Sequence, residues 1–194
     1  MTLFGPHDWS ERYRAGTIPW DLGRAHPELV ERLPGLGPPG TALVPGAGRG
    51  HDVSALASAG WEVTAIDFAP AVADDLGAAV GTQGRVVIGD VFAFAPPEPV
   101  DLLFDHTFFC TLPPDDRTGF GSWAAEVVRP GGRVASVVFP IDRSETEAAP
   151  PYPMTVADLT AALGPGFALD VDEPADRGGR RWETRWAVFR RRRL

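Results

Sequence analysis

A single cysteine, Cys110, in a chain of 194 residues leaves no internal disulfide to form. That scarcity fits a reducing compartment, and the expected location is cytoplasmic. No apolar run approaches the ~20 residues needed to cross a bilayer. The start of the chain has no basic segment followed by an apolar stretch, so no secretory leader is expected. The four histidines, His7, His26, His51 and His106, show no metal-ligand spacing, and no metal is expected. Positive charge is also short: 18 basic against 26 acidic residues give a formal net charge of −8. Such a chain has no broad attraction for nucleic acid or anionic membranes, and neither is expected as a partner. The exception, Arg190-Arg191-Arg192-Arg193, reads as the solvated end of a last strand. Proline (20) and glycine (22) are abundant, but they fall between apolar runs and read as turn punctuation. The length suits one domain with a short extension, enough to bury a sizeable core. Oligomeric state is not legible, and a monomer is compatible with the sequence.

What is present is most informative around Ala42-Leu43-Val44-Pro45-Gly46-Ala47-Gly48-Arg49-Gly50-His51-Asp52. An apolar run enters a loop with glycine at every second position. A helix-like stretch follows, and then Trp61-Glu62-Val63-Thr64-Ala65-Ile66-Asp67, a second run ending in a carboxylate. This strand–loop–helix–strand order suits a nucleoside-like ligand. Glycines let the backbone approach it, a helix start offers N–H groups to an anion, and the terminal carboxylate can accept ribose hydroxyls. A dinucleotide fingerprint, Gly-x-Gly-x-x-Gly, would need its third glycine at position 51, which is His51. The tighter Gly46-x-Gly48-x-Gly50 pattern is usual where the ligand is S-adenosylmethionine. A turn with no ligand is the bland alternative.

Strand signals fall at 41–44, 62–66, 85–88, 100–104, 133–139, 168–173 and 182–189, and helix signals at 51–59, 70–79, 114–128 and 155–163. Their alternation predicts an α/β, Rossmann-like doubly wound sheet of seven strands, mainly parallel. The last two runs are joined by Asp176-Arg177-Gly178-Gly179-Arg180 without a helix, which predicts a C-terminal antiparallel hairpin strand. Residues 1–40 show a short helix at 7–14, an irregular loop at 17–24, a helix at 27–33 and a stiff connector at 34–40. They carry no core of their own, so they are expected to form an arm over a domain at 41–194.

These pieces resemble the thiopurine S-methyltransferase-like family of class I methyltransferases, and more closely its thiol and halide methyltransferase branch. The resemblance rests on Trp9, Gly16-Thr17-Ile18-Pro19-Trp20-Asp21, the glycine loop through Asp52, and Phe104-Asp105-His106-Thr107-Phe108-Phe109-Cys110. Pro130-Gly131-Gly132, Tyr152-Pro153-Met154-Thr155 and the last strand continue it over nearly the whole chain. It implies S-adenosylmethionine as cofactor, S-adenosylhomocysteine as product, and a small acceptor with a soft nucleophile. It also implies Trp9 and Trp20 as arm residues closing over the cofactor, with Gly46, Gly48 and Gly50 along its methionine part. Asp67 would be the ribose acceptor, and Asp90 and Val91 the adenine contacts. His106 falls where the thiopurine enzymes place an arginine beside the methionine end or the substrate. Ala47 stands where many relatives carry cysteine, and His106 departs from both branches, which leaves acceptor identity open.

Methyl transfer is an in-line displacement that needs neither a protein nucleophile nor a metal. Positioning alone can supply roughly 7–11 kcal/mol. A thiol acceptor, with a pKa near 8.5, gains from a base. His106 and Asp105 are the candidates at the end of the fourth strand, with Asp21 and Tyr152 as second choices. Asp105 can equally be a carboxylate held by backbone N–H groups, and His106 a wall residue. Phe108 and Phe109 join Asp21 and Tyr152 as candidates for lining the acceptor pocket. Cys110, among apolar neighbours, reads as a small buried hydrophobe. The expected activity is S-methylation of a thiol. Halide, selenium or tellurium acceptors are the alternatives on the same scaffold, followed by a nicotinamide oxidoreductase and a non-catalytic cofactor-binding module. Ala149-Pro150-Pro151-Tyr152 lacks the polar first residue of amino-methylating DNA enzymes.

Overall fold

The computed structural model describes residues 4–82, 84–144, 150–176, 178–179 and 181–193. Arg177 and Arg180 of the 176–180 turn lie outside the described residues. The chain divides into two compact units, Met1–Phe94 and Ala95–Leu194. Seven strands form one sheet in the order β3-β2-β1-β4-β5-β7-β6.

The first unit opens with α1 (Pro6–Ala15). Pro6 sits in its first turn, where a missing N–H costs nothing, and Gly16 ends it in the left-handed conformation at φ 67°. α2 (Pro27–Arg32) again starts on proline. A 3-10 turn, Leu33–Leu36, leads to β1 (Thr41–Pro45), then α3 (His51–Ser58) and β2 (Glu62–Asp67). A 3-10 turn at Pro70–Val72 runs into α4 (Ala73–Ala79), and β3 (Arg85–Ile88) completes a parallel β1–β2–β3 sheet. Ala42, Leu43 and Val44 on β1, and Ala65 and Ile66 on β2, are buried in succession. That is the pattern of strands covered on both faces.

The second unit carries β4 (Val100–His106), α5 (Phe120–Val127), β5 (Val128–Val138), α6 (Val156–Leu163), β6 (Phe167–Pro174) and β7 (Arg185–Arg191). β4 and β5 are parallel, and β7 runs antiparallel to both β5 and β6. This is the expected closing hairpin. Its core gathers Phe104, Phe109, Phe120, Trp186 and Phe189. A Cβ on Gly121 would lie 2.1 Å from the Ala162 carbonyl oxygen, so α5 meets α6 at backbone distance. α6 starts in a capping box between Thr155 and Asp158.

Three element boundaries depart from the sequence pattern. Residues 114–119 form a 3-10 stretch before the α-helix proper, because Pro113 and Pro114 restrict the entry. β5 starts at Val128 instead of 133. Pro130-Gly131-Gly132 is a bulge inside it: Val100 pairs with Val128 and Leu102 with Arg133, so two steps along β4 match five along β5. β7 begins at Arg185, so Trp182 lies outside the ladder, where Arg143 and Arg181 stack on its ring at 4.9 and 4.7 Å.

Candidate active site

The glycine loop joins β1 to α3. Gly46, Gly48 and Gly50 all adopt left-handed backbone, at φ 58°, 55° and 80°. The alternation of glycines is therefore a conformational demand of this turn. Gly48 donates its N–H to Asp67 Oδ2 at 2.8 Å, and Ala69 donates to Asp67 Oδ1 at 2.8 Å. The carboxylate ending β2 thus fixes the loop leaving β1. Burial pushes the Asp67 carboxyl above its ordinary range, and the N–H donors oppose that rise. Asp90 is exposed and accepts from Phe92 N–H at 2.9 Å, capping a 3-10 turn that begins at the buried Val91.

The second and third glycines have different tasks. A Cβ on Gly48 would lie 3.0 Å from the Tyr13 hydroxyl, so the concavity between loop and arm depends on an absent side chain. A Cβ on Gly50 would meet Ala79 Cβ at 2.6 Å. Gly50 therefore serves the approach of α4. A left-handed loop, an open position at Gly48 and the carboxylate at the end of β2 fit a nucleoside-bearing cofactor.

The arm brings its aromatic residues together. Trp9 and Trp20 meet edge-on at 5.3 Å, and Tyr13 and Trp20 at 5.9 Å. The Arg12 guanidinium lies 5.6 Å from the Trp9 ring and 5.8 Å from that of Trp20, so these faces already hold a cation. Tyr13 is buried, its hydroxyl is hydrogen-bonded to Trp20, and burial together with the Asp67 charge pushes its pKa up. Asp21 accepts from Gly23 N–H at 2.7 Å, with His51 Nε2 at 3.1 Å and Arg49 Nε at 3.8 Å.

In the second unit β4 runs on to His106, so Asp105 and His106 end the strand. Asp105 is buried, and its Oδ1 accepts from Phe108 and Phe109 N–H at 3.2 and 3.0 Å. Its Oδ2 accepts from Ser136 Oγ at 2.6 Å. Burial raises the Asp105 carboxyl, and these donors act the other way. Between the candidates and the turn sits Thr107 at φ 73°, a costly conformation for a β-branched residue. Asp105 before it and the Phe108 and Phe109 N–H groups after it clamp the residue between them. His106 is half-buried, 6.3 Å from the Phe139 ring. Phe108 is half-buried, whereas Phe109 is fully buried, edge-on to Phe120 at 4.9 Å. Tyr152 is half-buried and donates its N–H to the Cys110 carbonyl at 2.7 Å, and Cys110 itself is buried. Arg117 lies over the Phe109 ring at 4.9 Å and donates to Leu112 and Pro153 carbonyls at 3.2 Å each, tying the Tyr152 segment to the turn.

The family model for thiopurine S-methyltransferase matches residues 4–192, nearly the whole chain. The chain belongs to the thiopurine S-methyltransferase family. It is thus an S-adenosylmethionine-dependent methyltransferase. A probable thiol methyltransferase 2 of Arabidopsis thaliana is 34% identical over 82% of this chain and 73% of its own length. Thiocyanate methyltransferase 1 of Brassica oleracea is 32% identical over 92% of this chain and 83% of its own. Among solved structures, a Burkholderia thailandensis 1,6-didemethyltoxoflavin N1-methyltransferase with bound S-adenosylhomocysteine shares the fold. Its TM-score is 0.78 at 22% identity, covering 100% of this chain and 93% of that one.

Sequence reasoning missed three side chains and one contact that brace the candidate site. Tyr13 stands one helical turn from Trp9 on α1, a spacing that could have revealed it. Ser136 interrupts the apolar run Val134-Ala135-Ser136-Val137-Val138, and a lone hydroxyl in a buried strand implies a partner. Nothing in the sequence signals Arg117 or the link between Asp21 and His51, since both depend on chain segments brought together by folding.

Proposed function

We propose that this enzyme transfers the methyl group of S-adenosylmethionine to a small thiol. The observation that carries the reading is the strand end at Asp105 and His106. A buried, fully engaged carboxylate there anchors a strained turn, and a half-buried imidazole sits at its head. The names of the relatives at 34% and 32% identity support a small sulfur acceptor.

The cofactor, when bound, supplies a sulfonium-activated methyl carbon. The chain's residues do the rest. Gly46 and Gly48 would lie along its methionine part, Asp67, whose oxygens already take the Gly48 and Ala69 N–H groups, would offer its remaining lone pairs to the ribose, and Asp90 and Val91 would flank the base. Trp9 and Trp20 exclude water from above. His106 takes the proton from the thiol, which at neutral pH is only a few per cent thiolate. An imidazole suits that task near neutrality. Asp105 is a positioning residue, since both its oxygens are engaged by the turn and by Ser136. Phe108 and Tyr152 line the acceptor side, and Asp21 acts through the arm. The protein works in the cytoplasm on small molecules, with 1–40 as the arm and 41–194 as the catalytic domain.

A second reading is favoured by the thiocyanate enzymes among the relatives: an acceptor already anionic, such as thiocyanate or halide. It needs no base. His106→Ala separates the two. For a thiol requiring His106, turnover should fall about 10²-fold or more near neutral pH, within the range for a lost general base. S-adenosylmethionine affinity measured by calorimetry should stay within about twofold. Loss of cofactor binding in parallel would overturn the role of His106, and unchanged thiol turnover would favour the anionic acceptor.

A further inference from the structure

The residues following the glycines, Arg49, His51 and Asp52, all engage the arm. His51 Nε2 lies 3.1 Å from Asp21 Oδ1, and Arg49 Nε is shared between Asp21 Oδ2 on the arm at 3.8 Å and Asp75 Oδ2 on α4 at 3.7 Å. Asp52 Oδ1 accepts the His26 N–H at 2.8 Å, at the cap of α2. The contacts bracket the arm from 21 to 26. The same turn is braced internally by the bond from Gly23 N–H to Asp21. Asp21 follows directly on Trp20, whose indole bonds the Tyr13 hydroxyl above Gly48. The Asp21 side chain is only 10% exposed, so its carboxylate is sheltered and a donor near it counts for more than at a surface.

We infer that Arg49, His51 and Asp52 form a latch that docks the arm onto the cofactor loop, with His51 as the central positioning residue. Asp21 is the arm's half of the latch. The loop carries two functions on alternate residues: glycines shape the cofactor surface, and the side chains between and after them hold the cover. Whatever orders this loop also orders the arm, so cofactor binding and arm closure are coupled. The latch rests on the reading of the glycine loop as the cofactor site only for that coupling. The docking itself stands on the contacts.

Trypsin provides the test. The chain has no lysine, so its tryptic sites are arginines, and Arg14 and Arg24 are exposed on the arm. Wild type, His51→Ala, His51→Gln and Asp21→Asn are digested with and without S-adenosylhomocysteine, and the nucleoside's affinity is measured by calorimetry. His51→Gln keeps a nitrogen donor. Asp21→Asn lies on the arm, outside the sheet, and keeps the acceptor for Gly23. Without ligand, His51→Ala and Asp21→Asn should be cut at Arg24 at least fivefold faster than wild type. His51→Gln should restore much of the protection. With ligand, the first two should bind about 5–10-fold more weakly, and their combination should lose little more than either alone. Cleavage at the wild-type rate in both variants, or fully additive losses in the double variant, overturns the latch. Failure of wild type to bind S-adenosylhomocysteine overturns the cofactor reading instead, and the ligand-free digestion still decides the docking.

Discussion

Asp105 shows how one residue can look catalytic in sequence and prove to be a support. It ends a strand beside a histidine, the pattern of a base pair. Its oxygens accept from Phe108 N–H, Phe109 N–H and Ser136 Oγ, and that turn holds Thr107 in left-handed backbone. Asp105→Ala removes the acceptor that these three donors share, a loss of roughly 3 kcal/mol or more at about 1–3 kcal/mol for each bond lost in a buried place. Urea unfolding checks it. Protonation gives a second test. Burial holds this carboxyl above its ordinary 3.8 in the folded chain. The folded state then binds more protons than the unfolded chain across that interval. The group's contribution is therefore full below about 3.8 and is lost as pH rises through the folded value. Wild type should lose stability relative to Asp105→Asn as the pH rises above about 4. A difference constant above that pH contradicts the assignment.

At the level of elements, the glycine loop and the helices beside it make the sharpest prediction. Gly50 combines φ 80° with a Cβ position 2.6 Å from Ala79. Gly50→Ala should destabilise the protein by about 2 kcal/mol or more, through backbone strain and overpacking. Gly48→Ala carries backbone strain at φ 55° too, but its Cβ faces the Tyr13 hydroxyl at 3.0 Å and not a packed helix, so it should add a loss of cofactor affinity that Gly50→Ala lacks. Thermal melts and calorimetry on the two variants separate these roles. The elements most legible in the sequence were those whose limits are local. β3 at Arg85–Ile88 and α3 starting at His51 follow from apolar runs bounded by glycine. The illegible ones depended on partners. Pro130-Gly131-Gly132 has the composition of a turn, and only its pairing with β4 makes it a bulge within a strand. Trp182 has the right alternation for β7, but stacked arginines hold it outside the ladder.

For the whole molecule, the alternation of strands and helices and the unhelical last connection were enough to read a seven-stranded sheet with an antiparallel closing strand. Cofactor chemistry was legible because it sits on a contiguous loop and the strand ends that follow. Among the supports, Tyr13 and Ser136 left a trace in spacing and pattern, whereas Arg117 reaches its partners only through folding. On the proposed reading the acceptor is the least local property, since it would draw on residues as distant in sequence as His106 and Tyr152. The most direct test of the account is S-adenosylhomocysteine release from S-adenosylmethionine across one panel: hydrosulfide and small thiols, thiocyanate, iodide, selenide and a thiopurine. The account predicts saturable release with a small thiol at the highest kcat/KM, with the methyl thioether as product by mass spectrometry. Cofactor binding without release for any of these acceptors would contradict it.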